Sequence, residues 1–246
     1  MLLNPWSSNT GQATLTLNNV PAENQGTITA GGAAVTVATT VPGQNASLTF
    51  SGTQNQRVSL RVTGSTYPFP GGFNPAVTIK ILKPDQTVLA QTTTTTSAAF
   101  IDVQTLPVTG TYRILVDPTG TGTGQATINL YDVPAVNQGT ITAGGAAVTV
   151  TTTVPGQNAS LTFSGTQNQR VSLNVTGSTY PFPGGFNPAV TIKILKPDQT
   201  VLAQTTTTTS TAFISAQTLP VTGTYTVLVD PTTTGTGQAT LTLNNL

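Results

Sequence analysis

Histidine and cysteine are both absent from this 246-residue chain, and methionine and tryptophan occur once each. Their absence removes the Ser–His and Cys–His nucleophile pairs, zinc sites of the usual ligands, the axial histidine of a haem, and any disulfide. Charge is nearly as scarce. Charged residues make up 6% of the chain, against about 25% in ordinary soluble proteins. Eight Lys+Arg against seven Asp+Glu leave a formal charge of +1. Such a balance offers no basic patch to neutralise phosphates, so nucleic acid is not an expected partner. No apolar run approaches the roughly 20 residues of a spanning helix, and no membrane insertion is expected. The opening Met1-Leu2-Leu3-Asn4-Pro5-Trp6 lacks the basic and long apolar regions of a signal peptide.

What the chain does contain is itself, twice. Pro21-Ala22 returns as Pro134-Ala135, and the same offset of 113 carries Asn45 to Asn158, Tyr67 to Tyr180 and Tyr112 to Tyr225. Residues 21–133 and 134–246 align without a gap and differ at fourteen positions. A period this long is domain-sized, so each unit should own a core. Residues 1–20 follow the same offset, Gly11-Gln12 matching Gly124-Gln125. They read as the terminal hairpin of a preceding repeat or as a strand donated to a neighbour. The join Tyr131-Asp132-Val133-Pro134-Ala135-Val136-Asn137 holds a proline and no Gly/Ser run, which makes a semi-rigid linker.

Every segment reads as strand. Threonine makes up more than a fifth of the chain, and it favours strands and turns over helices. Apolar residues alternate with polar ones at Val58, Leu60 and Val62, at Val77, Ile79 and Ile81, and at Ala126, Ile128 and Leu130. Turn signals such as Pro42-Gly43-Gln44-Asn45 and Lys83-Pro84-Asp85-Gln86 separate them. Eight or nine short strands per 113 residues predict an all-β sandwich. The drift between copies marks the faces. Arg61 becomes Asn174, Arg113 becomes Thr226 and Asn129 becomes Thr242 in the polar phase, whereas Ile114 to Val227 and Ile128 to Leu241 keep apolar bulk.

The succession Thr49-Phe50-Ser51-Gly52, Gln56-Arg57-Val58-Ser59-Leu60, Leu82-Lys83-Pro84-Asp85 and Leu106-Pro107-Val108-Thr109-Gly110-Thr111-Tyr112 resembles the bacterial pre-peptidase C-terminal domain family and its tandem surface-repeat relatives. It returns at Leu195-Lys196-Pro197-Asp198 and Leu219-Pro220-Val221-Thr222-Gly223-Thr224-Tyr225. The resemblance implies two tandem jelly-roll-like antiparallel β-sandwiches, exported by bacteria as enzyme accessories or stacked in surface proteins. Some relatives bind calcium through clustered carboxylates. Here Asp102 and Asp132 become Ser215 and Asn245, leaving only Asp85/Asp198 and Asp117/Asp230 in both copies. No metal, cofactor or catalytic residue is expected.

Two features are candidates for contact with a partner. The segment Tyr67-Pro68-Phe69-Pro70-Gly71-Gly72-Phe73-Asn74-Pro75 recurs unchanged from Tyr180, placing Phe182 and Phe186 beside it. Three aromatics among prolines form a rigid platform for an extracellular glycan, a plug for the open end of the sandwich, or a contact with the next domain or a neighbouring chain. The second feature is residues 11–19, whose apolar phase is Ala13, Leu15 and Leu17. The first repeat carries ten charges and the second five, so few Lys or Glu guard the sheet edges. The expectation is a non-catalytic structural repeat of an extracellular or cell-surface bacterial fibre, stalk or layer, self-associating through sheet edges or this terminal strand. Alternatives are a glycan-binding adhesive module and an accessory domain of a secreted hydrolase.

Overall fold

The computed structural model describes residues 11–67, 77–180 and 190–246, and among them every regular element is a strand. Repeat 1 contributes β1 (Asn24–Thr27), β2 (Val35–Thr39), β3 (Ala46–Gly52), β4 (Arg57–Thr63), β5 (Val77–Leu82), β6 (Val88–Thr94), β7 (Ala99–Thr105), β8 (Gly110–Pro118) and β9 (Gly124–Asp132). Repeat 2 gives the same series as β10 (Asn137–Thr140), β11 (Val148–Thr152), β12 (Ala159–Gly165), β13 (Arg170–Thr176), β14 (Val190–Leu195), β15 (Val201–Thr207), β16 (Ala212–Thr218), β17 (Gly223–Pro231) and β18 (Gly237–Asn245).

Each repeat stacks a five-stranded sheet, β1-β3-β8-β5-β6, on a four-stranded one, β2-β9-β4-β7. Strand β2 pairs with β9, β3 with β8, β4 with β7 and β5 with β6. These nested pairs are one long hairpin rolled over itself, with successive pairs falling in alternate sheets. That order makes each repeat a jelly roll. The sheets are antiparallel except for one pair in each repeat, where β1 lies parallel to β3 and β10 parallel to β12. The chain crosses to the other sheet between β1 and β3, and that crossover permits the parallel pairing.

Alternation puts one face of each strand inside. Along β8 the apolar phase Tyr112, Ile114 and Val116 is buried, while Thr111 is exposed and Arg113 and Leu115 are half-buried. Val37, Leu48, Val58, Ile79, Ile128 and their neighbours form the first core, and the equivalent residues of repeat 2 form a second, separate core. Gly52 is required here, because a Cβ would come within 2.3 Å of Leu106 Cδ1 and 3.0 Å of the Tyr112 ring. Tyr112 stacks on Phe50 with centroids 5.3 Å apart, and its hydroxyl donates to the Val108 carbonyl at 2.7 Å. The Leu-Pro-Val-Thr-Gly-Thr-Tyr hairpin is thus tied together by its own last residue.

Side chains, rather than charges, close the sheet edges. The Ala38 N–H of edge strand β2 donates to Gln25 Oε1 at 2.8 Å, and the Gln25 amide donates back to the Ala38 carbonyl. Gln138 grips Thr151 in the same way. On the other side, Thr94 Oγ1 donates to the Ala98 carbonyl at 2.8 Å and accepts from the Thr96 N–H at 3.0 Å, shaping the arch from β6 to β7. The threonine runs therefore supply the strand and arch that join the two sheets.

Candidate self-association surfaces

Residues 11–20 have the alternation of a strand but no strand partner among the described residues, and every one of them is exposed. Leu15 is 52% exposed and Leu17 99%, whereas their counterparts Ile128 and Leu130 are buried in β9, and Leu241 and Leu243 in β18. Within this chain the segment forms no strand among the described residues. The reason is occupancy: the place between β2 and β4 holds β9, and that between β11 and β13 holds β18. A lone strand has no ladder to join.

The two repeats meet at a defined joint. The Ser59 hydroxyl, on β4, donates to the Pro155 carbonyl at 2.6 Å. Pro155 belongs to the turn between β11 and β12, where Gly156 has φ +80° and the Gln157 side chain accepts from the Thr153 and Val154 N–H groups. A Cβ on Gly156 would stand 2.9 Å from Ser59 Cβ and 3.2 Å from Asp102 Oδ1, so only glycine allows so close an approach. The Arg57 guanidinium donates to the Pro134 carbonyl, and the Val133 N–H donates to the Arg57 carbonyl at 2.8 Å, fixing the linker. Burial raises the Asp102 carboxyl above the ordinary range, opposed by the Val103 N–H and assisted by Asp230 across the joint, while Arg57 draws it down.

The matching turn of repeat 1 is built alike but meets nothing among the described residues. Gly43 has φ +79° and the Gln44 side chain accepts from the Thr40 and Val41 N–H groups, yet no atom lies within 4 Å of a Cβ placed on Gly43. Pro42 and Gly43 are exposed, while Pro155 is half-buried and Gly156 buried. The face on repeat 2 that corresponds to Ser59 and Asp102 carries Ser172 and Ser215.

Tyr67 and Tyr180, which the sequence leaves between a platform and a plug, are buried in the two cores, at 6% and 7% exposure. The preceding chain is pinned to β9, where the Thr66 N–H donates to the Gln125 carbonyl at 2.9 Å. The Tyr67 hydroxyl faces Thr39 and the Tyr180 hydroxyl faces Thr152, but none of these four oxygens closes a well-formed hydrogen bond. Phe69, Phe73, Phe182 and Phe186 lie outside the described residues. The carboxylates shared by both copies have local partners: Asp117 pairs with Lys80 and Asp230 with Lys193, each at 3.0 Å, and Asp85 and Asp198 accept from the Thr87 and Thr200 N–H groups in hairpin turns. Sequence reasoning missed Gln25, Gln138 and the Ser59–Pro155 joint. Only the recurrence of Pro-Gly-Gln-Asn in both repeats marks the turn that makes that joint.

No family model matches the chain, and no curated protein matches it. Among solved structures it is similar to the CUB1-EGF-CUB2 domain of human MASP-1/3, at 10% identity and TM-score 0.31, covering 85% of this chain and 99% of that one. It is also similar to Aeromonas hydrophila PliG, a periplasmic inhibitor of g-type lysozyme, at 12% identity and TM-score 0.29, covering 44% and 98%. The CBM22-1-CBM22-2 tandem of Paenibacillus barcinonensis Xyn10C is similar at 11% identity and TM-score 0.25, covering 80% and 82%. Likeness at this level carries no argument about activity or partner.

Proposed function

We propose that this chain is a non-catalytic structural repeat protein that associates with copies of itself in a bacterial extracellular fibre, stalk or surface layer. The observation that carries the reading is the joint between repeats. It is made by a preformed turn and a serine that recur in both copies, so the same turn and the same face are suited to join one copy to another. A contact of this kind is heterologous, and heterologous contacts extend chains where they do not close rings. The unpartnered apolar phase of residues 11–19 gives a second point of attachment. The resemblance to pre-peptidase C-terminal domains supports an exported setting, and among the described residues no helix is long and apolar enough to cross a membrane. The glycan-platform reading loses its two tyrosines to the core.

Sedimentation velocity and light scattering over a range of concentrations test the proposal. Mass rising with concentration, with linear particles under the electron microscope, is the expected result. A monomer at every concentration, unchanged on deleting residues 1–20, would remove it.

A further inference from the structure

We infer that residues 11–19 of one copy take the place of β18 in a second copy, joining chains head to tail by strand exchange. This rests on the self-association reading above and names the seat. The nine residues Gly11-Gln12-Ala13-Thr14-Leu15-Thr16-Leu17-Asn18-Asn19 are identical to β18, residue for residue. They differ from β9 at four positions, where Ile128, Asn129, Tyr131 and Asp132 stand instead. The segment therefore matches the seat in repeat 2, between β11 and β13.

That seat reads the strand side chain by side chain. Thr149 on β11 lies opposite Thr240, with their hydroxyls 2.8 Å apart, and Thr14 supplies the same hydroxyl. The Asn244 amide donates to Ser172 Oγ at 3.1 Å, and the Gln169 amide donates to Asn245 Oδ1 at 2.8 Å, groups that Asn18 and Asn19 reproduce. Ala13, Leu15 and Leu17 carry the buried phase that Ala239, Leu241 and Leu243 fill, each 0% exposed.

The residues after the strand fit as well. Val20-Pro21-Ala22 repeats Val133-Pro134-Ala135, the linker that Arg57 fixes. In repeat 2, the Leu246 N–H already donates to the Arg170 carbonyl at 2.9 Å, and the Arg170 guanidinium is exposed with no partner among the described residues. A seated Val20 takes the Leu246 position and brings the Pro21 carbonyl to Arg170. The open turn at Pro42 and Gly43 then arrives over Ser172 and Ser215, as Pro155 and Gly156 arrive over Ser59 and Asp102. Ser215 stands where the internal joint has the Asp102 carboxylate.

Exchange of identical strands leaves core packing unchanged, since the released β18 exposes what residues 11–19 bury. The gain is the new joint. A tethered β18 competes at an effective concentration of about millimolar, so exchange proceeds on refolding at high protein concentration.

The chain has no cysteine of its own, which permits a register-specific trap. The full chain carrying Thr14→Cys with Thr149→Cys, and separately Thr16→Cys with Asn174→Cys (Asn174 faces Thr242), is refolded from denaturant in a glutathione buffer. Non-reducing electrophoresis should show a ladder in steps of 25.1 kDa for both pairs. The off-register pair Thr16→Cys with Thr149→Cys should lose it, as should either true pair combined with Leu15→Asp and Leu17→Asp. Circular dichroism reports that each variant keeps its β spectrum. Oligomers of the unsubstituted chain without register-specific ladders would overturn strand exchange while leaving self-association in place. A strictly monomeric chain at all concentrations would overturn both.

Discussion

The Ser59 hydroxyl and the Pro155 carbonyl, 96 residues apart in sequence, share a 2.6 Å hydrogen bond that ties the first jelly roll to the second. Ser59 is fully buried, while its counterpart Ser172, with no turn seated over it among the described residues, is 5% exposed and accepts a bond from Asn244 of its own sheet. The same residue thus serves the joint in one repeat and its own sheet in the other. Ser59→Ala removes the hydroxyl that donates to Pro155 and should weaken the coupling of the repeats by about 1 kcal/mol. The check is denaturant unfolding, in which the single transition should broaden. Ser172→Ala, whose lost acceptor leaves a half-exposed amide free to find water, should cost less.

Asp102→Ser, which copies the residue found in repeat 2, should stabilise the chain at neutral pH. The Asp102 carboxyl is raised in the folded protein, chiefly by burial and further by Asp230, against the pull of the Val103 N–H and of Arg57. A group raised in the folded state penalises folding once it ionises. The penalty is absent below the ordinary carboxylate range, grows as pH rises through it, and is complete above the raised value. Asp102 still reaches solvent, which screens the effect, so the substitution should lift Tm by at most about 2 °C at pH 7, the scale of a few tenths of a kcal/mol in a domain of this size. At about pH 3, where unfolded Asp is itself largely protonated, the difference should vanish.

Tyr67→Phe should be close to neutral in thermal melts, because the buried hydroxyl closes no well-formed hydrogen bond and its removal leaves little unpaired. Tyr67→Ala should cost about 3–5 kcal/mol, the usual range for emptying a buried aromatic site. Any polysaccharide binding lost in the alanine variant alone would then report unfolding. Loss in the phenylalanine variant with an unchanged melt would instead revive a direct role for the ring hydroxyl.

The Asp198 carboxyl, exposed at a hairpin turn, should titrate at about 2 in carboxyl-carbon NMR, held down first by the Thr200 hydroxyl and then by its N–H, with Lys196 adding less. Thr200→Val removes the hydroxyl and should return the midpoint toward the usual Asp value. Because the folded value lies below the unfolded one, the turn's contribution is present above the ordinary Asp range and fades as pH falls toward 2.

Much of the fold was legible because alternation and drift agree. Arg61, Arg113 and Asn129 change freely and stand exposed or half-buried, while Ile114 and Ile128 change only to Val227 and Leu241 and are buried to 0%. The strand count follows from the turn residues, but sheet order does not, since the pairing of β2 with β9 joins segments almost ninety residues apart. The parallel β1 escaped because four residues, Asn24–Thr27, carry too short a pattern. The sequence left Tyr67 between platform and plug for a different reason. Its neighbours in sequence are prolines and glycines, which mark a loop, but its own ring turns inward over the core. Residues 11–19 carry a correct strand pattern with no ladder to satisfy it, and pattern alone does not say whether a partner is present.

Gln138→Ala should turn a protected edge into a sticky one. Strand β11 ends its sheet, and its Thr151 N–H and carbonyl point outward, where the Gln138 amide takes both. Few charges guard this repeat, so the amide stands where Lys or Glu would serve in other β proteins. Losing two exposed hydrogen bonds, partly replaced by water, should cost about 1–2 kcal/mol. The larger effect is on association: a free donor and acceptor beside the period-two pattern of β11 invite pairing with another copy's edge. Turbidity and light scattering at fixed concentration should rise faster for Gln138→Ala than for Gln138→Glu, whose carboxylate still accepts from the Thr151 N–H and adds repulsion between edges. Equal rates for the two variants would show that sheet edges take no part in how these chains meet.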